Sequence, residues 1–180
     1  MKTLISEFAI KEKVEELAQQ LSIDYKQKNP VLIGVLKGSF IFLSDLARAM
    51  DFPLQLDFMS VSSYGDDTKS SGIVRIIKDL DDTITDRHVV IVEDILDTGL
   101  TLGYLVEMLG ARKPASIRIC TLLSKNHNRK TVHISADYVG FEIEDKFVVG
   151  YGLDYRGYFR NLPNIAELEE EDLALGFLAD

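Results

Sequence analysis

The chain has 180 residues, of which 46% are hydrophobic and 27% charged, and its 29 acidic against 20 basic residues give a formal net charge of −9. This composition is typical of one globular domain, whereas the acidic excess without any lysine or arginine run disfavours nucleic acid as a partner. The apolar runs are far shorter than the ~20 residues of a membrane-spanning helix, and a single cysteine, Cys120, excludes an intrachain disulfide. Because charged sequence follows Met1 without a signal-peptide core, we expect a cytoplasmic protein with no membrane partner.

The hydrophobic pattern predicts helices and strands that alternate through the middle of the chain. Apolar residues at helical spacing predict an opening amphipathic helix whose stripe faces the core; they are Ile10, Val14, Leu17, Ala18, Leu21 and Tyr25. The predicted elements that follow are a strand over residues 31–36, a helix over 40–50, strands over 54–60, 72–77 and 89–92, a helix over 100–109, and strands over 116–123, 137–143 and 146–149. We therefore expect an α/β fold, a twisted and mainly parallel sheet flanked by helices and joined by right-handed crossovers.

No repeat or low-complexity linker divides this pattern, so we expect a single domain over residues 1–180. Its core would span about residues 31–135, and a small hood over the carboxyl edge of the sheet would come from the N-terminal segment and from about residues 136–180. Residues 62–72 are rich in serine, glycine and aspartate. That composition is typical of an ordinary solvated loop and equally of a loop that closes over an active site.

The most informative stretch begins at residues 89–92, a β-branched run that predicts a buried central strand. Glu93 and Asp94 follow, and open α/β sheets bind ligands at the carboxyl ends of their strands. Asp97 then heads Thr98-Gly99-Leu100-Thr101, which combines a glycine, two hydroxyls and the amides at a helix start, and so favours a phosphate. Carboxylates beside a phosphate would repel it unless they contact ribose hydroxyls or a cation such as Mg²⁺. These residues predict a site for a sugar phosphate and a metal ion, although acids at this position can also simply cap a turn.

This stretch resembles the phosphoribosyl pyrophosphate signature of the type I phosphoribosyltransferases, and further segments agree with that family in the expected order. Leu36-Lys37-Gly38-Ser39 resembles its pyrophosphate loop, and Ser63-Tyr64 resembles its mobile hood. Lys125 and residues 146–155 resemble its purine pocket. The match runs from Val31 to about Leu162 and is to the hypoxanthine-guanine branch, and Ser39 departs from those relatives that carry glycine there.

The resemblance implies a Mg²⁺-dependent enzyme that transfers 5-phosphoribosyl from phosphoribosyl pyrophosphate to hypoxanthine and guanine. It implies Asp97 as the general base that accepts the purine N7 proton, and Glu93, Asp94 and Asp154 as metal ligands. The other substrate-binding residues that it implies are Lys37, Gly38 and Arg160 for pyrophosphate, Thr98, Gly99, Leu100 and Thr101 for the 5′-phosphate, Ser63 and Tyr64 for a lid, and Lys125, Lys146, Phe147 and Val148 for the base. Relatives of this kind are commonly homodimers or homotetramers.

Three other functions remain open at this point. Some proteins of this fold sense phosphoribosyl pyrophosphate and regulate through nucleic acid, which the charge of −9 disfavours. A receiver-like module with a simple cation pocket would leave Thr98-Gly99-Leu100-Thr101 unexplained. A xanthine-preferring transferase would share every motif, because preference at the purine 2-position depends on details of the pocket.

Overall fold

The computed structural model describes residues 1–63, 74–126 and 134–173. The elements within these ranges are, in chain order, β1 (Lys2–Ile5), α1 (Glu7–Tyr25), β2 (Val31–Leu36), α2 (Phe40–Ala49), β3 (Gln55–Ser63), β4 (Val74–Lys78), β5 (His88–Leu96), α3 (Leu100–Gly110), β6 (Ser116–Lys125), β7 (Tyr138–Ile143), β8 (Val148–Val149), β9 (Ile165–Glu167) and α4 (Glu170–Leu173). Among the helices in the described ranges, none combines the length and the apolar character that crossing a membrane requires.

The main sheet has six strands in the order β4-β3-β2-β5-β6-β7. Four of its strand pairs are parallel, and β3 and β4 form an antiparallel pair at one edge. Helix α2 connects β2 to β3, and α3 connects β5 to β6. This confirms the predicted α/β fold with a mainly parallel sheet flanked by helices.

The central strand β5 is buried on both faces because a separate core lies on each side of the sheet. Val90 and Val92 pack into the core that includes α1 and α2, whereas Val89 and Ile91 pack into the core that includes α3. A strand in this position needs apolar side chains at successive residues, which explains the continuous β-branched run in the sequence.

Helix α1 follows the predicted pattern in its start and in its buried face. Ser6 is its N-cap, and the Ser6 hydroxyl accepts a hydrogen bond of 3.2 Å from the amide of Ala9. Every one of the six residues of the predicted stripe is buried. The helix therefore packs its apolar face against the sheet while its charged residues face solvent.

Strand β3 lies where the alternating pattern predicts a strand, but its buried residues include a charged one. Leu56 is 46% exposed, whereas Asp57 is only 8% exposed. The Asp57 carboxylate accepts hydrogen bonds from the amides of Phe58 at 2.7 Å and Asp81 at 2.9 Å, which compensates for its burial. These bonds tie the edge of the sheet to the segment that follows β4.

A second, three-stranded sheet has the order β1-β9-β8 and joins both ends of the chain. Residues 2–3 of β1 pair with residues 166–167 of β9, which in turn pairs with Val148 and Val149 of β8. The sequence pattern predicts β8 but neither β1 nor β9. Strands of three or four residues carry too few side chains to show an alternating pattern, so only the pairing across the molecule identifies them.

Candidate active site

At the carboxyl edge of the main sheet, the ends of the paired strands β2 and β5 diverge and form a crevice. The pairing of β2 with β5 ends at Gly34 and Val92, whereas the pairing of β2 with β3 continues to Leu36. From β2 the chain proceeds to β3 on one side, and from β5 it proceeds to β6 on the other. In an open α/β sheet such a switch point is where ligands bind.

The turn between β5 and α3 carries the predicted phosphate-binding residues. Strand β5 extends to Leu96, beyond the predicted end, so that Glu93 lies within the strand and the turn begins at Asp97. Gly99 has a left-handed backbone with φ of 81°, which explains the glycine directly before the first turn of α3. A cavity of about 80 Å³ is lined by residues 97–99 with Glu93 and Thr101. The amides at the start of α3 lack intrahelical partners and so suit a bound phosphate.

The two acidic residues of β5 are held in environments that disfavour their charge. Asp94 is 9% exposed, and burial raises its pKa to about 6, although backbone hydrogen bonds and the charge of Arg160 act in the opposite direction. Burial also raises the pKa of Glu93 well above its usual range, and the neighbouring Asp94 adds to that effect. Glu93 Oε2 is buried without a hydrogen-bond partner among the described residues. A buried carboxylate oxygen without a partner destabilises the protein, and a ligand hydroxyl or a cation that binds it would remove this desolvation penalty.

Glycines let three distant segments meet in this crevice. A Cβ atom added to Gly38 would lie 1.7 Å from Asp94 Oδ2, and one added to Gly152 would lie 2.0 Å from the carbonyl oxygen of Gly38. Gly152 also has a left-handed backbone with φ of 102°. Lys37, which precedes Gly38, follows Leu36 through a cis peptide bond, a feature that the sequence alone does not reveal. The predicted pyrophosphate loop therefore packs directly against both Asp94 and the segment around Gly152.

Arg160 and Asp154 form an ion pair beside the same loop. Arg160 Nη2 lies 2.5 Å from Asp154 Oδ1, and Arg160 Nη1 donates a hydrogen bond of 2.5 Å to the carbonyl of Gly152. The second carboxylate oxygen of Asp154 accepts a hydrogen bond of 2.7 Å from the amide of Gly157. The charges of both side chains act on Asp94, so the pair lies on the side of the crevice where the sequence predicts pyrophosphate and metal.

Three adjacent strands end in charged residues that lie next to one another. Asp97 follows β5, Lys125 ends β6, and Asp145 follows β7. The Lys125 ammonium lies 3.1 Å from Asp145 Oδ1 and 3.6 Å from Asp97 Oδ2. The Lys125 side chain is 11% exposed, whereas the two carboxylates are about half exposed, at 49% for Asp97 and 54% for Asp145. A nearly buried cation is therefore shared by two partly solvated anions.

The predicted base-binding segment lies at the end of β7 and in β8. Phe147 is 53% exposed, and the edge of its ring packs against Tyr155 with a centroid distance of 5.7 Å and an interplanar angle of 87°. Val148 is buried in β8, where its backbone pairs with Glu167. The ammonium of Lys146 lies 3.0 Å from the Glu167 carboxylate, so this lysine braces β8 against β9. An exposed aromatic ring beside the row of charges offers a surface on which a planar base could stack.

Two of the predicted site residues, Ser63 and Tyr64, lie at or beyond the end of a described range. Ser63 ends β3, its side chain is not among those described, and Tyr64 lies outside the described residues, as does most of the predicted lid. The sequence pattern did not identify Asp145, Tyr155 or Gly152 individually as parts of the site. Only the repeated glycine in Gly150-Tyr151-Gly152 offered a local signal, since it indicates an unusual backbone.

A cavity of about 560 Å³ lies elsewhere, between α1, α2 and residues 161–163. Tyr151 on its wall donates a hydrogen bond of 2.7 Å to Asp45. Tyr151 belongs to the segment 146–155 that resembles a purine pocket, but none of the residues predicted individually to bind substrate or metal lines this cavity, so we do not assign it as the active site.

The position of these acidic residues and of the helix start at a switch point is typical of a type I phosphoribosyltransferase, and comparison with known proteins places the chain in that class. The family model described as "Phosphoribosyl transferase domain" matches residues 4–156. The hypoxanthine-guanine phosphoribosyltransferase of Bacillus subtilis (strain 168) is 54% identical over 168 residues, which are 93% of each chain. That of Aquifex aeolicus (strain VF5) is 48% identical over 171 residues, 94% of this chain and 96% of the relative.

Solved structures agree with the sequence relatives. A hypoxanthine phosphoribosyltransferase from Staphylococcus aureus superposes with a TM-score of 0.91 at 50% identity, over 95% of this chain and 92% of that one. A hypoxanthine-guanine phosphoribosyltransferase from Bacillus anthracis superposes with a TM-score of 0.89 at 47% identity, over 94% and 99% of the two chains. The chain belongs to the hypoxanthine-guanine branch of the phosphoribosyltransferase family.

Proposed function

We propose that this chain is a purine salvage enzyme that transfers 5-phosphoribosyl from phosphoribosyl pyrophosphate to hypoxanthine and guanine, giving IMP or GMP and pyrophosphate. The observation that carries this proposal is the 3.6 Å spacing of the Lys125 ammonium and the Asp97 carboxylate beside the phosphate-binding turn. A 6-oxopurine presents an oxygen acceptor and, in the N7–H tautomer, an N–H donor at adjacent positions of one edge. Adenine instead presents an amino donor at the 6-position, which an ammonium would repel.

The sugar phosphate would be held at three points along the crevice. Residues 97–101 bind the 5′-phosphate through backbone amides and the hydroxyls of Thr98 and Thr101. Glu93 and Asp94 accept hydrogen bonds from the ribose hydroxyls, which would satisfy the unpartnered Glu93 Oε2. Lys37, the backbone at Gly38 and Arg160 would contact the pyrophosphate, where negative charge grows as it leaves.

The base would be held so that one proton transfer accompanies the reaction. Phe147 stacks on the ring, the backbone of Val148 contacts its edge, and Lys125 donates to the 6-oxo oxygen. The N9–C1′ bond forms while the C1′–oxygen bond breaks, and pyrophosphate departs with the bonding electron pair. The N7 proton passes to Asp97, which acts as the general base.

The donor set of the crevice fits a hard divalent cation that also binds substrate oxygens. Within the described ranges, no group of three or more His, Cys, Asp and Glu side chains is placed to hold a metal ion by itself. Mg²⁺ commonly takes one or two carboxylates and completes its coordination with water and substrate phosphates. Glu93 and Asp94 would hold one such ion and Asp154 a second, and bound Mg²⁺ would neutralise charge on the departing pyrophosphate.

We further propose that the three-stranded sheet is the predicted hood. This assignment has physical support because β8, which carries Val148, is anchored through β9 to the N-terminal strand β1. We also propose that residues 62–72 are the lid.

For the assembly and location, we propose a cytoplasmic homodimer or homotetramer. Sedimentation analysis tests the assembly, and a monomer at micromolar concentration would contradict it.

The deciding experiment incubates the purified chain with phosphoribosyl pyrophosphate and separately offers hypoxanthine, guanine, xanthine or adenine, with and without Mg²⁺. We expect Mg²⁺-dependent formation of IMP and GMP and no AMP. Xanthosine monophosphate as the main product would favour the xanthine-preferring alternative. No nucleotide from any base, together with binding of RNA or DNA at physiological salt, would favour the regulator.

A further inference from the structure

The row formed by Asp97, Lys125 and Asp145 contains one carboxylate to which the proposed mechanism gives no task. Asp145 follows β7, whose last residue, Ile143, pairs with Lys125 in β6. This pairing brings Asp145 to the end of the Lys125 side chain, where Asp145 Oδ1 accepts a hydrogen bond of 3.1 Å from the ammonium. Asp145 also directly precedes the base-binding residues 146–148. It is therefore placed to affect how Lys125 meets the purine.

The distances in this row show that the Lys125 ammonium interacts with both carboxylates, but more closely with Asp145 than with Asp97. An ammonium has three N–H donors. One is used by Asp145, and the 3.6 Å distance from Nζ to Asp97 Oδ2 is that of an ion pair longer than an ordinary hydrogen bond. Because Lys125 is only 11% exposed, water screens these attractions less than it would at the open surface. The position of the ammonium on β6 is thus set by the attraction of two anions that follow the neighbouring strands β5 and β7.

We infer that Asp145 is a positioning residue that holds the Lys125 ammonium away from Asp97, and so determines the preference for a 6-oxopurine. This rests on the proposed function, in which Lys125 donates to the 6-oxo oxygen and Asp97 accepts the N7 proton. Without Asp145, the nearest carboxylate to the ammonium within the described ranges is Asp97, at 3.6 Å. A closer Lys125–Asp97 pair would engage both the donor and the acceptor that the base requires.

The test compares Asp145→Asn with Glu144→Gln, the adjacent carboxylate, which lies 3.8 Å from Lys146 rather than near Lys125. Each substitution removes one negative charge from the same segment. For Asp145→Asn we expect the KM for hypoxanthine to rise about five- to twentyfold, since the lost contact is a charged hydrogen bond to a half-exposed partner. The kcat/KM for hypoxanthine should fall by a similar factor, whereas the inhibition constant of adenine against hypoxanthine, the KM for phosphoribosyl pyrophosphate and the melting temperature should stay unchanged. Glu144→Gln should behave as wild type.

A double-mutant cycle separates positioning of Lys125 from any direct or structural role. In a Lys125→Met background, Asp145→Asn should change the KM for hypoxanthine less than twofold, because the group through which it acts is absent. Asp145→Glu, which keeps the charge, should recover most of the wild-type KM. An equal effect of Asp145→Asn in both backgrounds, a Glu variant as defective as Asn, or a wild-type KM in Asp145→Asn would each overturn the inference. An inactive wild-type chain would instead refute the proposed function.

Discussion

Replacing Gly38 with alanine should damage both stability and catalysis, because there is no room for one additional carbon. The new Cβ would lie 1.7 Å from Asp94 Oδ2 and 2.5 Å from Asp94 Cγ. Asp94 cannot easily move aside, since it is buried and its other oxygen accepts a hydrogen bond of 2.9 Å from the amide of Ile95. Either the carboxylate or the loop must shift by more than an ångström. Overpacking of this kind costs about 1–3 kcal/mol, which for a domain of this size lowers the melting temperature by roughly 2–12 °C.

The catalytic effect should exceed the effect on stability. Gly38 and Asp94 lie on the two sides of the crevice, and a displacement of about 1 Å in a reacting geometry can lower kcat/KM by roughly 100-fold. Thermal unfolding and steady-state IMP formation measure the two effects. Gly110→Ala is the matched control, because Gly110 ends α3 with nothing within 4 Å of an added Cβ, and it should be neutral or slightly stabilising.

A second variant identifies Asp94 as the obstacle. Adding Asp94→Ala to Gly38→Ala removes the carboxylate that the new Cβ meets, so the melting temperature should recover at least in part. Activity should stay low, because the proposed contact of Asp94 with ribose is lost as well. If Gly38→Ala instead matches Gly110→Ala in both assays, the close packing of the loop against Asp94 has no energetic importance.

Three further predictions concern single groups. Asp97→Asn should lower kcat far more than it weakens nucleotide binding, as measured by steady-state kinetics against IMP titration; equal losses would refute its role as the general base. Burial raises the pKa of Asp94 to about 6 in the folded state, from 3.8 in the unfolded state. Between these two pH values the folded state binds more protons than the unfolded state. The free energy of unfolding therefore falls by about 3 kcal/mol as the pH rises from 3.8 to 6. Asp94→Asn should therefore be more stable than wild type at pH 7.5 but not at pH 3.5 by thermal unfolding, and the same difference at both pH values would contradict the raised pKa. Cys120 is fully buried, and burial raises the pKa of its thiol. A thiol-specific reagent should therefore label Cys120 only after the protein unfolds. Rapid labelling of the native protein would instead show that strand β6 opens.

Those parts of the fold that depend on local pattern could be predicted from the sequence. The β-branched run before Glu93 and the helical spacing of Ile10 to Tyr25 each specify one element and its buried face. Strand β3 shows the limit of such patterns, because its alternation predicts a strand but does not reveal that Asp57 is buried. That burial depends on an amide from Asp81, a partner distant in sequence, and no local pattern encodes it.

The same distinction applies to the candidate site. The turn from Asp97 to Thr101 is local, so its glycine, hydroxyls and helix start could be interpreted together from the sequence. The contacts of Gly38 with Asp94 and of Lys125 with Asp145 join segments that only the sheet order brings together. The resemblance to a family supplied roles for individual residues, but it did not supply the distances on which the proposed substitutions depend.

The candidate site combines two features that a chain selected for stability alone would avoid. Asp94 is buried and Glu93 is partly buried, both with raised pKa values, and the buried Glu93 Oε2 lacks a hydrogen-bond partner among the described residues. Both features destabilise the empty crevice, and both would be relieved by the hydroxyls of a ribose or by a divalent cation. In the proposed site, binding energy would therefore be concentrated on the sugar and its metal rather than on the base, whose proposed stacking partner Phe147 is half exposed. It follows that phosphoribosyl pyrophosphate with Mg²⁺ should raise the melting temperature considerably more than hypoxanthine alone, and that the base should bind best after the sugar phosphate.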